Sequence, residues 1–203
     1  MNNDTDNSMD WLFEHDTLET NETITQRVLT RQAKREMIKG TQKEKLTELI
    51  KKLPPPGWSY HVISNGQYDF WTFIPALAAL IGRQGLFLHM STWTMSRNNA
   101  VDMIERFDSG QFKEMTLFTG LYFKRRESAV YAKVVEAFIE RKQRYLAFKN
   151  HAKIILIGDE KEKYIIEGSA NFTANPRMEQ YVLTRDDKLF DFHKEWMEEI
   201  LAK

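Results

Sequence analysis

The chain has 203 residues and a mass of 24.0 kDa, and 42% of its residues are hydrophobic while 29% are charged. This usage excludes a wholly disordered chain and a fibrous one, and the absence of cysteine excludes disulfide scaffolds, thiolate zinc sites and cysteine nucleophiles. Lysine and arginine together number 29, as do aspartate and glutamate, so a uniformly basic nucleic-acid coat is excluded as well.

The zero net charge conceals a strong asymmetry along the chain. Residues 1–23 carry seven acidic residues and no lysine or arginine, which predicts an acidic disordered tail. Residues 24–53 carry nine basic and three acidic residues among good helix formers, so residues 24–57 are predicted as a basic helical segment that ends in a proline-rich linker. The basic residues either form a solvated helix face or follow a phosphate backbone, and the sequence leaves both interpretations open.

From residue 58 onward, predicted strands and helices alternate, and the strands then cluster. Strands are predicted over residues 58–64, 86–92, 115–123, 144–149, 152–157, 164–167 and 180–184. Helices are predicted over residues 70–82, 96–107, 127–141 and 187–201. This order indicates an α/β layered domain with a mixed sheet flanked by helices. The longest apolar run has about twelve residues, too few to cross a bilayer, and we expect a cytoplasmic protein without a membrane partner.

Four polar residues surround the most hydrophobic of these strands. His151 and Lys153 are two positions apart at the start of one strand, so both side chains belong to the same face. Ser169 and Asn171 have the same relation at the end of the next strand. A polar turn over residues 158–163 folds one strand back on the other, and all four side chains are therefore expected to converge.

The chemistry of such a cluster suits a phosphate group. An imidazole acts as a nucleophile or as a general acid and base near neutral pH. A lysine ammonium and an asparagine amide hold anionic oxygens, and Gly168 allows an oxyanion to approach the backbone closely.

The residues of this cluster and their spacing resemble the HKD motif of the phospholipase D superfamily. The motif here is His151-x-Lys153, a carboxylate, and Gly168-Ser169-x-Asn171. The residues that follow, Phe172-Thr173 and Glu179, resemble those of the bacterial nuclease branch of this superfamily. Residues 58–203 would then form one phospholipase D-like catalytic domain, a layered α-β-α unit.

The resemblance implies a metal-independent phosphodiesterase without a cofactor, an endonuclease that acts on DNA or RNA. His151 would attack phosphorus and form a phosphohistidine, while Lys153 and Asn171 would stabilise the equatorial oxygens. Ser169 would support the site by hydrogen bonding, and Glu179 would orient the imidazole.

The family mechanism needs a second histidine, which protonates the leaving group and then activates water. Because this chain carries one motif, the resemblance implies a homodimer with the site on the two-fold axis. Arg177 follows Asn171 closely and is a candidate contact for substrate phosphate. Five residues separate Lys153 from Asp159 where the family usually has four, so the role of Asp159 stays open.

Two other functions remain open at this point. One is a non-catalytic nucleic-acid-binding or regulatory module with a degenerate phosphate site, and a less favoured one is a phospholipid phosphodiesterase. For Trp93 and for three histidines other than His151 we expect no catalytic role. Trp93 is predicted in the core, His61 and His89 in the core or at a sheet edge, and His193 on the surface.

Overall fold

The computed structural model describes residues 26–31, 37–40, 46–64, 66, 68–173 and 177–203. The predicted acidic tail over residues 1–23 lies outside these ranges. Among the described residues, no helix is both long enough and apolar enough to cross a membrane.

The described strands form one mixed sheet. They are β1 (Gln26–Arg31), β2 (Met37–Gly40), β3 (Trp58–Ser64), β4 (Leu86–Ser91), β5 (Phe112–Gly120), β6 (Arg144–Phe148), β7 (Ile154–Gly158), β8 (Lys163–Gly168) and β9 (Glu179–Arg185). Their order across the sheet is β2-β1-β3-β9-β8-β7-β4-β5-β6. Strand β5 runs parallel to β4 and β6, and the other neighbours are antiparallel. The predicted mixed sheet is confirmed.

Helices cover both faces of this sheet. They are α1 (Leu46–Leu49), α2 (Phe73–Ile81), α3 (Arg97–Asp108), α4 (Leu121–Arg126), α5 (Ser128–Glu140) and α6 (Asp187–Leu201). Side chains alternate along β7, so Ile155 belongs to the core that α2, α3 and α5 cover, whereas Leu156 belongs to the core under α6. The structure therefore has three layers, helices on each side of a sheet, as the sequence predicts.

Local sequence signals fix where several helices begin and end. The Ser96 side chain accepts a hydrogen bond from the Asn99 backbone N–H at 3.2 Å and caps α3. Gly82 ends α2 with a φ of 67°, a left-handed conformation that glycine adopts without strain. Asp186 accepts hydrogen bonds from two backbone N–H groups at the start of α6.

The helical prediction for residues 24–53 is wrong where the structure describes them, apart from the short α1. Strands β1 and β2 form an antiparallel pair, and β1 extends the main sheet by pairing with β3. Backbone pairing along the edge of an existing sheet is a tertiary effect that overrides the helix propensity of the sequence.

Two further predictions are corrected. Strand β5 ends at Gly120, and residues predicted as its end form α4 instead. His193, predicted on the surface, is 5% exposed, and its Nε2 lies 3.4 Å from the Glu167 carboxylate. His89 is buried as predicted, and burial lowers its pKa to about 4.

Candidate phosphate site

The start of β7 and the end of β8 lie side by side. Ile154 pairs with Glu167 in the antiparallel ladder, and the backbone N–H of Gly168 donates to the Lys153 carbonyl at 3.1 Å. The next backbone N–H, that of Ser169, donates to the carbonyl of Gln180 on β9 at 3.0 Å. The hairpin thus places the polar residues that flank β7 and β8 at one end of the sheet.

His151 and Lys153 are in direct contact. The Lys153 ammonium lies 2.9 Å from Nδ1 of the exposed His151 ring and donates to the His151 carbonyl at 2.7 Å. Lys153 itself is only 8% exposed, and burial lowers its pKa while the Glu179 carboxylate opposes that shift. The same ammonium lies 3.4 Å from Nε2, so both ring nitrogens of His151 are near this cation.

A buried asparagine, Asn150, holds the backbone next to His151 in place. The Asn150 amide donates to the Ser91 hydroxyl at 2.9 Å, and its oxygen accepts from the Ala152 backbone N–H at 3.0 Å. The bond to Ala152 spans His151, and the bond to Ser91 holds this segment at the end of β4, just before β7 begins. The sequence analysis did not select Asn150, although its position directly before His151 is a signal for such a role.

Ser169 and Glu179 form a second hydrogen-bonded pair. The Ser169 hydroxyl donates to the Glu179 carboxylate and accepts from the Gln180 backbone N–H at 3.0 Å. Glu179 is 9% exposed and is close enough to influence the charge state of Lys153. This carboxylate is therefore bonded to Ser169, and its orientation of the His151 imidazole stays a prediction.

Asn171 joins the cluster through the chain that follows β4. Its side-chain oxygen accepts a hydrogen bond from the Trp93 backbone N–H at 3.1 Å. The Trp93 ring lies beside His151, with 5.7 Å between the ring centroids. With the oxygen occupied in this way, the amide N–H₂ is the end of Asn171 that can hold an anionic oxygen.

Gly168 has a packing requirement in addition to its predicted role. A Cβ at this position would lie 2.8 Å from a Tyr181 ring atom and 3.1 Å from a Phe70 ring atom, both in the core. The two rings stack on each other with centroids 5.8 Å apart. Close ring packing is therefore sufficient to explain a glycine at the end of β8.

A cleft of about 460 Å³ opens beside the cluster. Its described lining residues are Trp93, Thr94, Tyr122, Arg126, Glu127, Asn171, Thr173 and Arg177. The predicted phosphate contact Arg177 thus lies on the same cleft as Asn171. Trp93 is half-buried and lines the cleft, so its predicted core position is wrong. Tyr122 was not predicted to have a role because α4 was interpreted as part of a strand.

Asp159 lies at the other end of the hairpin and takes no part in this cluster. Its carboxylate accepts from Arg83 Nε at 2.6 Å and from the backbone N–H of Lys161 at 2.9 Å. Burial alone would raise the pKa of Asp159, but these hydrogen bonds outweigh it and hold the pKa below its ordinary value. Within the part of the chain that the structure describes, no group of three or more histidine, aspartate or glutamate side chains is positioned to hold a metal ion.

No family model and no curated protein matches the chain, but solved structures share its fold. A polyphosphate kinase from Porphyromonas gingivalis aligns with a TM-score of 0.51 and 16% identity over 68% of this chain and 25% of its own. NucT from Helicobacter pylori aligns with a TM-score of 0.50 and 12% identity over 71% of this chain and 96% of its own. This chain therefore spans about a quarter of the kinase and nearly the whole of NucT. Both belong to the phospholipase D superfamily, and the predicted phospholipase D-like fold is confirmed.

Proposed function

We propose that the chain is a metal-independent phosphodiesterase, an endonuclease that cleaves nucleic acid through a phosphohistidine on His151. The observation that carries this proposal is the contact of His151 with the buried Lys153 at one end of the sheet. The same end of the sheet holds Ser169 and Glu179, which are bonded to each other where β8 meets β9. It also holds Asn171, which is bonded to the Trp93 backbone. A nucleophile, a cation and amide donors in one place are the groups that displacement at phosphorus requires.

The reaction follows from the hydrogen-bond roles. His151 attacks phosphorus with a ring nitrogen, a P–N bond forms, and the bond from phosphorus to the leaving oxygen breaks. Lys153 and the Asn171 amide donate to the equatorial oxygens, which gain negative charge as the nucleophile approaches. Water then attacks the phosphohistidine, the P–N bond breaks, and the phosphorylated end and free histidine are released.

The leaving oxygen needs a proton and the attacking water must lose one. A second histidine on the opposite side of phosphorus would perform both transfers in turn. In this proposal that histidine is His151 of a second copy, and the site lies on the two-fold axis of a homodimer.

The surroundings of the site support a nucleic-acid substrate. Arg126 and Arg177 both line the adjoining cleft, where guanidinium groups can hold phosphates beyond the scissile one. The fold is also similar to that of a quarter of a polyphosphate kinase, a protein whose name states that it acts on a polymer of phosphate.

The test is cleavage of DNA and RNA by purified full-length chain in excess EDTA, together with its mass in solution. Wild type is expected to cut and to have twice the chain mass, and His151→Ala is expected to lose cleavage by at least about 10³-fold. His61→Ala provides a matched control because His61 is a partly exposed histidine in β3, away from the cluster.

Three results would contradict the proposal. Cleavage that survives in His151→Ala would show that His151 is not the nucleophile. An active enzyme that is strictly monomeric would show that no second copy supplies the other histidine. Salt-dependent binding of nucleic acid by wild type, without cleavage of any phosphodiester, would instead identify a non-catalytic binding module.

A further inference from the structure

An aromatic pair forms one wall of the cleft beside the phosphate site. The rings of Trp93 and Tyr122 are nearly parallel, with an interplanar angle of 10° and centroids 4.3 Å apart. Tyr122 is 37% exposed although it is a large aromatic residue, and both rings line the cleft. A stacked aromatic surface that remains open to solvent can accept another flat, unsaturated ring.

The surrounding backbone fixes the position of Trp93. A Cβ at Gly120 would collide with the indole ring, so glycine is required for the ring to lie against the end of β5. The Gly120 backbone N–H also donates to the Trp93 carbonyl at 3.2 Å. Trp93 is therefore held in position before any ligand arrives, which reduces the entropy lost on binding.

Charged groups complete the cleft. The Arg126 guanidinium lies 5.7 Å from the centroid of the Tyr122 ring and donates to the Tyr122 hydroxyl at 2.8 Å. Arg177 and Asn171 line the same space, and the Glu127 carboxylate adds an acceptor suited to the amino groups of bases. Aromatic stacking beside cations is the chemistry that holds a nucleotide by its base and its phosphate.

We propose that this cleft binds an unpaired nucleobase against Trp93 and Tyr122, while Arg126 and Arg177 contact the flanking phosphates. The ligand is thus a single-stranded nucleic acid, because the faces of bases within a duplex are covered by their neighbours. This inference rests on the proposed function for the identity of the substrate, and it adds the form of strand that the site accepts.

The connection to the phosphate site gives the subsite its position along the strand. The Trp93 backbone N–H is bonded to the Asn171 side chain, and the Trp93 ring lies 5.7 Å from the His151 ring. A base on the aromatic pair therefore belongs to a nucleotide next to the phosphate at His151. Stacking at this position tolerates any base, so we expect little sequence preference from it.

The test measures binding in the full-length His151→Ala chain, which holds a strand without cutting it. The three fluorescein-labelled probes are an oligothymidylate, an abasic strand of the same length and a duplex of that length. Fluorescence anisotropy at constant salt measures the affinity for each probe. Adding Tyr122→Ala is expected to weaken oligothymidylate binding by roughly 5- to 100-fold and to leave abasic-strand binding unchanged. Tyr122→Phe keeps the ring and is expected to bind as the parent does.

Phe192→Ala removes another exposed aromatic side chain, on α6, and is expected to change neither affinity. Equal weakening of the abasic strand by Tyr122→Ala, or a duplex that binds as tightly as the single strand, would overturn the inference. The inference and the proposed function fail separately: ring-dependent binding without cleavage by wild type would contradict only the phosphodiesterase, and cleavage without ring dependence would contradict only the base subsite.

Discussion

The two ends of the β7–β8 hairpin carry similar numbers of charged and polar groups but arrange them differently. At the turn end, Arg83 is bonded to the carboxylates of both Asp159 and Glu162, and Arg185 lies 3.3 Å from Glu162. At the open end, the Lys153 ammonium instead donates to an imidazole and a backbone carbonyl. The first arrangement neutralises its charges internally, whereas the second presents a cation beside a nucleophile.

This difference separates a structural cluster from a functional one. A guanidinium that is bonded to carboxylates stabilises the turn, and its charge is already neutralised before any anionic ligand arrives. The Lys153 ammonium is buried, its bonded partners are neutral acceptors, and the Glu179 carboxylate acts on it only through its charge, so the ammonium gains an interaction when a phosphate binds. The comparison predicts that changes at the open end reduce activity with little effect on stability, and that changes at the turn end do the reverse.

The largest expected effect is that of Lys153→Met on catalysis. Methionine fills a similar volume without a charge, and Glu179 keeps its hydrogen bond from Ser169, so the fold should persist while the cation facing the equatorial oxygens is lost. We expect kcat for phosphodiester cleavage to fall by about 10³-fold. Asp159→Asn provides the comparison at the turn end and is expected to retain wild-type kcat. An equal loss of activity in both variants would remove the distinction between the two ends.

A smaller loss is expected from Asn171→Ala. The amide is a neutral donor, and its removal should reduce kcat by about 10²-fold. Alanine also removes the acceptor for the Trp93 backbone N–H, so Asn171→Asp serves as the second variant because it keeps that acceptor and loses the donor. Both variants should be slow if donation to phosphate is the role of Asn171; recovery of activity in the aspartate variant would assign it to positioning Trp93 alone.

Most of the fold was predictable because its hydrophobic pattern is local. The bounds of β3 and α6 agree with the sequence prediction, since alternation and an amphipathic run are visible without knowledge of neighbours. Strand β1 was not predictable from the same signals, because it exists through pairing with β3 across the sheet.

The candidate site divides in the same way. The contact between His151 and Lys153 joins residues two positions apart, as their spacing predicts, although β7 begins only at Ile154. The Ser169–Glu179 bond depends on how β8 and β9 meet, and the Trp93–Tyr122 stack depends on a helix following β5, so neither could be derived from spacing alone. The sequence leaves the role of Asp159 open because of its spacing from Lys153, and the structure places its carboxylate in the turn with Arg83.

At the turn end, the expected effect is on stability. Glu162 accepts from Arg83 and from the Tyr164 hydroxyl at 2.5 Å, and its side chain is only 14% exposed. Glu162→Gln keeps the shape and removes the charge, so we expect the free energy of unfolding in urea to fall by about 1–2 kcal/mol. The kcat of the folded variant should equal that of wild type; a loss of activity at unchanged stability would mean that the turn communicates with the site.

The smallest effect is the pH dependence of that stability difference. Burial alone would raise the pKa of Glu162, but hydrogen bonds from Tyr164 and Arg83 outweigh it, and the pKa lies below its ordinary value of 4.5. Near pH 4 the unfolded chain therefore binds more protons than the native one, so the stabilisation is complete above the ordinary value and is lost as pH falls through the depressed native value. Urea unfolding of wild type and Glu162→Gln should give a constant difference at neutral pH that narrows in acid. A difference that stays constant into strong acid would show that it does not come from the ionised carboxylate, and the turn end would no longer contrast electrostatically with the end that holds His151.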